Sequence, residues 1–206
     1  MEKDIEIIFH NRGLRSYIEV DLCAECPRQD DKGCCGYYSP VFYPTDLGYL
    51  YLTQPDLLDH IFSLEHLTIL DSSVTVNNVI DGDSYRCKFH RKEGGCFLSQ
   101  STRESICRHF VCPGIGWWLE EQMQNWWDFF DELSSYEIKL NNHWSALLTE
   151  KGLSLRNPSQ RETIYQELGR IYQEELARLP DFIDQMPSME SKTMQRTIRF
   201  GTDWQL

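Results

Sequence analysis

No cysteine occurs after residue 112 of this 206-residue chain, although eight precede it. Whatever thiol chemistry the protein performs therefore belongs to its first part. No apolar run approaches the ~20 residues that a membrane-spanning helix needs, so no membrane partner is expected. The opening "MEKDIEIIFHNRG" places charges where a secretory signal requires an uninterrupted apolar core, which points to a reducing cytoplasm. An excess of basic residues is missing too. The net charge is −12, with 17 acidic and 11 basic residues before Ile115 and 15 and 9 from there on. A chain that is acidic in both parts repels phosphate backbones, so nucleic acid is not an expected partner. There is no G-x-G-x-x-G loop for a dinucleotide, and no Ser-His-Asp or Cys-His arrangement that spacing alone would support. Internal repeats and low-complexity stretches are also lacking.

What is present is the composition of a folded protein, 41% hydrophobic and 13% aromatic. "DIEIIF" alternates as a strand does. "PTDLGYLYLTQPDLLDHIF" predicts one or two short helices, with Pro55 suited to a first helical position. "SSVTVNNVIDGDSYRC" predicts a strand, an Asp-Gly turn and a return strand leading to Cys87. "STRESICRHFVC" predicts a short helix in which Ser101 and Glu104 have capping-box spacing. Beyond Pro113, Leu119, Met123, Trp126, Phe130, Leu133, Leu140, Trp144 and Leu147 recur at helical spacing, broken only at Glu137. A second helix in "SQRETIYQELGRIYQEELARL" has Ser159 and Glu162 as its capping box. Ile164, Leu168, Ile171 and Leu179 form its buried stripe, and Pro180 its end. The tail from Pro187 shows no strong pattern. Trp117, Trp118, Trp126, Trp127, Phe129 and Phe130 offer a groove for a ligand or a protein partner. Aromatics dominate cores, however, and burial is their expected role. Together these segments predict an α+β chain. A small loop-rich cysteine-cluster domain with short helices and a hairpin spans 1–114, and a helical C-terminal region, 115–206, packs on it.

The cysteines are Cys23, Cys26, Cys34, Cys35, Cys87, Cys96, Cys107 and Cys112. Without a secretory signal, metal binding or redox chemistry is expected of them rather than disulfides. A Cys-x-x-Cys turn such as Cys23–Cys26 brings two thiolates together with little strain, and soft ligands converging from a second segment complete a metal shell. Cys107 and Cys112 form a plausible second pair. Cys87 and Cys96 flank a loop that Gly94 and Gly95 allow to turn back. Cys34 and Cys35, if extended, point to opposite faces and so serve different neighbours. His90 and His109, close to cysteines in sequence, are candidates to complete a mixed site. Around Cys87, Arg86, Lys88, Arg91 and Lys92 supply positive charge that offsets thiolates. Zinc and an iron–sulfur centre both suit this donor set, and spacing leaves the choice and the pairing open.

The ordered combination "CAEC", "CC", "YPTDLGYL" and "CKFH…GGCFLSQSTRESICRHFVC" resembles the YkgJ-like cysteine-cluster family, described as a zinc- or iron-chelating domain. The resemblance covers roughly residues 20 to 114. It implies that the eight cysteines are metal ligands. The family also resembles the cysteine cluster of flagellin lysine N-methylases, which implies an alternative, an iron–sulfur-dependent enzyme of redox or protein methyl-transfer chemistry. Asp46 matches the family's acidic position after the double cysteine, although a helix cap or first-turn acid is its simpler role.

Overall fold

The computed structural model describes residues 2–25, 34–91 and 94–197. Chain order is β1 (Glu2–His10), β2 (Tyr17–Val20), α1 (Leu22–Glu25), α2 (Cys34–Tyr37), β3 (Val41–Phe42), α3 (Pro44–Thr53), α4 (Pro55–Ser63), β4 (Leu67–Ile69), β5 (Val74–Val76), β6 (Val79–Asp81), β7 (Ser84–Arg86), α5 (Ser105–His109), α6 (Gln124–Glu150), α7 (Arg161–Leu176), α8 (Asp181–Asp184) and β8 (Met189–Thr197). The chain is α+β. Among the described residues, no helix is long and apolar enough to cross a membrane.

The alternation of the opening segment becomes β1, whose Ile5, Ile7 and Phe9 face inward and are fully buried. β1 is the centre of an antiparallel sheet with the order β2-β1-β8. Its register pairs Ile7 with Val20 and Phe9 with Ile18 on one side, and Ile5 with Met194 on the other. The tail that shows no pattern in the sequence is thus a nine-residue edge strand. Only Met194 of β8 is buried, so the ladder to β1, rather than its own hydrophobicity, defines it. Residues on both sides of position 114 enter one hydrophobic cluster. The C-terminal region therefore contributes a strand to the N-terminal sheet as well as helices to its cover.

α6 runs for 27 residues without interruption, about 40 Å at the α-helical rise. Phe9 stacks on its Trp126 with ring centroids 4.9 Å apart, and Trp117 lies 5.1 Å from Phe9. Trp117, Trp126, Phe129 and Phe130 are core residues, as expected, while Trp127 is exposed. Leu119, expected in the stripe, is exposed in a 3-10 turn before α6 begins. α3 packs on α7 where two glycines let the helices approach. A Cβ on Gly48 would lie 2.7 Å from the Leu168 carbonyl oxygen, and one on Gly169 would lie 2.8 Å from Tyr51.

Several local expectations are corrected. Val74–Val76 does not pair with the strand leading to Cys87. It is the middle of a separate sheet, β3-β5-β4, and the hairpin is β6–β7. Gly82, at φ +65, takes the first position of its two-residue turn, a conformation a side chain resists. The Ser101–Glu104 capping box does not form, because Glu104 is itself the N-cap of α5. α7 starts after a 3-10 turn capped by Asn157 and ends at Leu176, so Ser159 is not its cap and Pro180 not its end. Pro55 does open α4, directly after α3.

Candidate functional site

Among the described residues, five cysteines from separate chain segments line one cavity of about 50 Å³: Cys23, Cys35, Cys87, Cys96 and Cys107. Cys23 sits in α1 just after β2, and Cys35 in α2. The Cys87 N–H donates to the Cys35 carbonyl at 2.5 Å, tying the end of the hairpin to α2. The loop from Cys87 turns back through Gly94 and Gly95, both at positive φ, and a backbone bridge between His90 and Cys96 closes it. α5 supplies Cys107. Phe42, Phe89, Leu98, Ile106 and Phe110 make the rest of the wall largely apolar.

The double cysteine lies at the start of a helical turn rather than in an extended stretch, so the opposite-face rule for an extended pair does not apply to it. Cys35 faces the cavity. Cys26 and the Cys34 side chain lie outside the described residues. Cys112 packs against the core and does not line the cavity, because the chain extends from Phe110 once α5 ends. Cys107 and Cys112 are therefore not brought together as a pair at this cavity. His90 and His109 do not line it either. Among the described residues, no three His, Cys, Asp or Glu side chains are arranged as the shell of a metal ion. Among the described residues, the thiols stand in a cavity wall and form no closed shell.

Glu104 is the acid of this wall, 2% exposed. Its carboxylate accepts from the Ile106 and Cys107 N–H groups at 2.8 and 3.0 Å, and the Cys107 thiol hydrogen-bonds it. Burial pushes its pKa up, with the Cys107 bond opposing. The approach to Glu104 is fixed from behind by Arg15. Its guanidinium donates to the Ser101 carbonyl at 3.1 and 2.8 Å, to the Arg103 carbonyl at 2.5 Å and to Asp46 at 2.6 Å. Asp46 also accepts the Tyr43 N–H at 3.0 Å from the first turn of α3. It serves as a helix-end acid and ion-pair partner, buried away from the cysteine cavity. Burial raises the pKa of Asp46 against the pull of Arg15, and burial followed by the Arg108 charge lowers that of Arg15. Desolvation outweighs attraction in this pair.

A second buried pair joins α5 to α6. Arg108 donates to Glu137 at 2.6 Å, to the Ser16 carbonyl at 2.7 Å and to His109 Nε2 at 3.1 Å. A guanidinium can only donate, so Nε2 accepts and the His109 proton resides on Nδ1, which donates to Ser134 Oγ at 3.1 Å. Burial and then the charge of Arg108 push the His109 pKa well down, keeping the ring neutral. Sequence reasoning missed this network, although Glu137 as the sole break in an apolar stripe marked its place.

On the far side of α5 lies a cleft of about 540 Å³. One wall is a stripe of α6, with Ser134, Glu137, Ile138, Asn141, Asn142 and Ser145 at helical spacing. Ser105, Ile106, His109 and Phe110 of the α5 segment form another, completed by Tyr43, Ser72 and Ser73. Ile106 and Phe110 line both this cleft and the cysteine cavity.

Comparisons with protein-family models, with curated proteins and with solved structures find no match to this chain.

Proposed function

We propose that the protein binds metal, its clustered cysteines chelating zinc or an iron–sulfur centre. The observation that carries this reading is the convergence of Cys23, Cys35, Cys87, Cys96 and Cys107 on one cavity from five places in the chain. A water-sized occupant needs ~10–15 Å³, so about 50 Å³ holds an ion or a few waters and excludes an organic cofactor. That size favours a single ion over a polynuclear cluster, and soft thiolates favour zinc or iron among single ions. Cys96 and Arg103 also line an outer cleft with Arg91, a cationic entry beside the thiols. Bound there, the metal would supply cross-linking of five chain segments and so stability. The acidic charge of the chain favours a metal over nucleic acid as partner.

A second reading, an iron–sulfur-dependent enzyme of redox or protein methyl-transfer type, draws on one observation. A cleft large enough for an organic molecule shares two side chains with the cysteine cavity.

Metal analysis of freshly purified protein, prepared with and without oxygen, tests the proposal. Zinc is expected to leave the protein colourless because the ion is d¹⁰, whereas an iron–sulfur centre absorbs visible light. Cys23→Ser and Cys107→Ser are each expected to lose metal and thermal stability together. His60→Ala, on the exposed face of α4, should lose neither. Cys112→Ser should retain the metal if the cavity-lining set forms the shell. A folded full-length protein with no metal and eight titratable thiols would sink the reading.

A further inference from the structure

The cleft outside the cysteine cavity carries an inference of its own, which does not rest on the metal reading. In a chain of net charge −12, most of the described arginines are matched to a carboxylate. Among the described residues, Arg12, Arg91, Arg103 and Arg161 form no salt bridge. Arg161 instead donates to the Leu155 carbonyl at 3.0 Å and lies over the Phe62 ring. Arg91 and Arg103 both line the outer cleft, of about 430 Å³. Arg12 is near enough for its charge to act on Tyr17, which lines the same cleft. Positive charge without a partner therefore gathers at one place. Of the described cations around Cys87, Arg86 is taken by Asp81 at 3.7 Å and Lys88 by the Glu65 carbonyl, which leaves Arg91.

Arg103 is held in place. Its Nε donates to the Leu98 carbonyl at 3.2 Å, and the buried Arg15 donates to its own carbonyl at 2.5 Å. Its terminal nitrogens have no acceptor among the described residues. Glu19 is the one acid among the described residues of the cleft, and it is bonded to His10 Nε2 at 3.1 Å. A guanidinium stays charged throughout the working pH range, so two of them against one carboxylate leave the cleft positive whichever state His10 takes. Each guanidinium presents a fork of donors that matches the paired oxygens of a phosphate or a carboxylate. The volume falls within the ~300–1,000 Å³ of small-molecule sites, more than a bare ion needs. Phe97, 58% exposed, adds apolar surface beside the charges. We propose that this cleft binds a small organic oxyanion. Its phosphate or carboxylate group would be held by Arg91 and Arg103, with its body against Phe97.

Phenyl phosphate, benzoate and benzyl alcohol, titrated to millimolar concentration into the ¹⁵N-labelled full chain, provide the test. At least one of the two anions is expected to shift the Arg103 Nε–H resonance, the tighter of them naming the group, and the neutral alcohol to leave it in place. Arg91→Gln and Arg103→Gln should each weaken anion binding about tenfold, the loss of one charged hydrogen bond. Glu19→Gln removes the opposing charge and should tighten it. Arg161→Gln makes the same change in net charge at a residue that does not line the cleft, and should leave binding unaltered. Arg91 is exposed, so its variant keeps the test open should Arg103→Gln fail to fold. Silence of both anions, equal binding of benzyl alcohol, unchanged affinity in folded Arg91→Gln, or an equal loss in Arg161→Gln would overturn the proposal.

Discussion

Replacing Arg108 by methionine tests how the interior tolerates its charges. The Arg108 and Glu137 side chains are 0% and 2% exposed and 2.6 Å apart. Burial alone would lower the Arg108 pKa, but the Glu137 and Asp46 carboxylates outweigh it and hold it above its ordinary value. Removing Arg108 leaves Glu137 as a buried carboxylate with Ser105 as its remaining donor, and removes donors from the Ser16 carbonyl and His109. Uncompensated buried charge costs about 3–5 kcal/mol. For a chain of this size that corresponds to a fall in Tm of about 6–20 °C. Glu137→Met should cost a similar amount, by stranding a guanidinium whose Nε already lacks a partner. The double variant, Arg108→Met with Glu137→Met, places two apolar chains side by side. It is expected to be at least about 3 kcal/mol less destabilised than the sum of the singles. Urea unfolding of the four proteins gives the coupling directly. Single variants within about 1 kcal/mol of wild type, or strictly additive losses, would refute the reasoning.

At Gly48, alanine would drive its Cβ against the backbone of Leu168, which cannot yield as a side chain can. Gly48→Ala is expected to cost about 1–3 kcal/mol by parting α3 from α7, and an unchanged Tm would contradict that close approach. Glu167 is held down to about 2 by hydrogen bonds from Arg170 and then Lys151. A depressed carboxylate contributes stability above its unfolded pKa, near 4.5, and loses it as pH falls through about 2. Both cations are about half exposed, so screening keeps the contribution below about 1 kcal/mol. The Tm difference between wild type and Glu167→Gln should therefore vanish on acidification from pH 4.5 to about 2, and a difference independent of pH would exclude this origin.

By itself the sequence determined the elements whose burial is periodic and local: β1 from its alternation, Pro55 as a first helical residue, and α6 from its apolar stripe. It also determined the supply of soft donors, eight thiols in the first part of the chain. Tertiary structure decided everything that depends on which segments meet. β8 carries one buried residue and is a strand because β1 offers it an edge. Val74–Val76 has the pattern of a hairpin arm, yet its partners are β3 and β4. Glu137 reads as a break in a helix until Arg108, 29 positions earlier, is brought beside it. Spacing leaves the geometry of the double cysteine open, and in the fold its helical turn places Cys35 at the thiol-lined cavity. Periodicity reports whether a residue is covered, because covering depends on the face it occupies. It is silent on what does the covering, since hydrogen-bond ladders, ion pairs and shared cavities are set by contacts between distant parts of the chain.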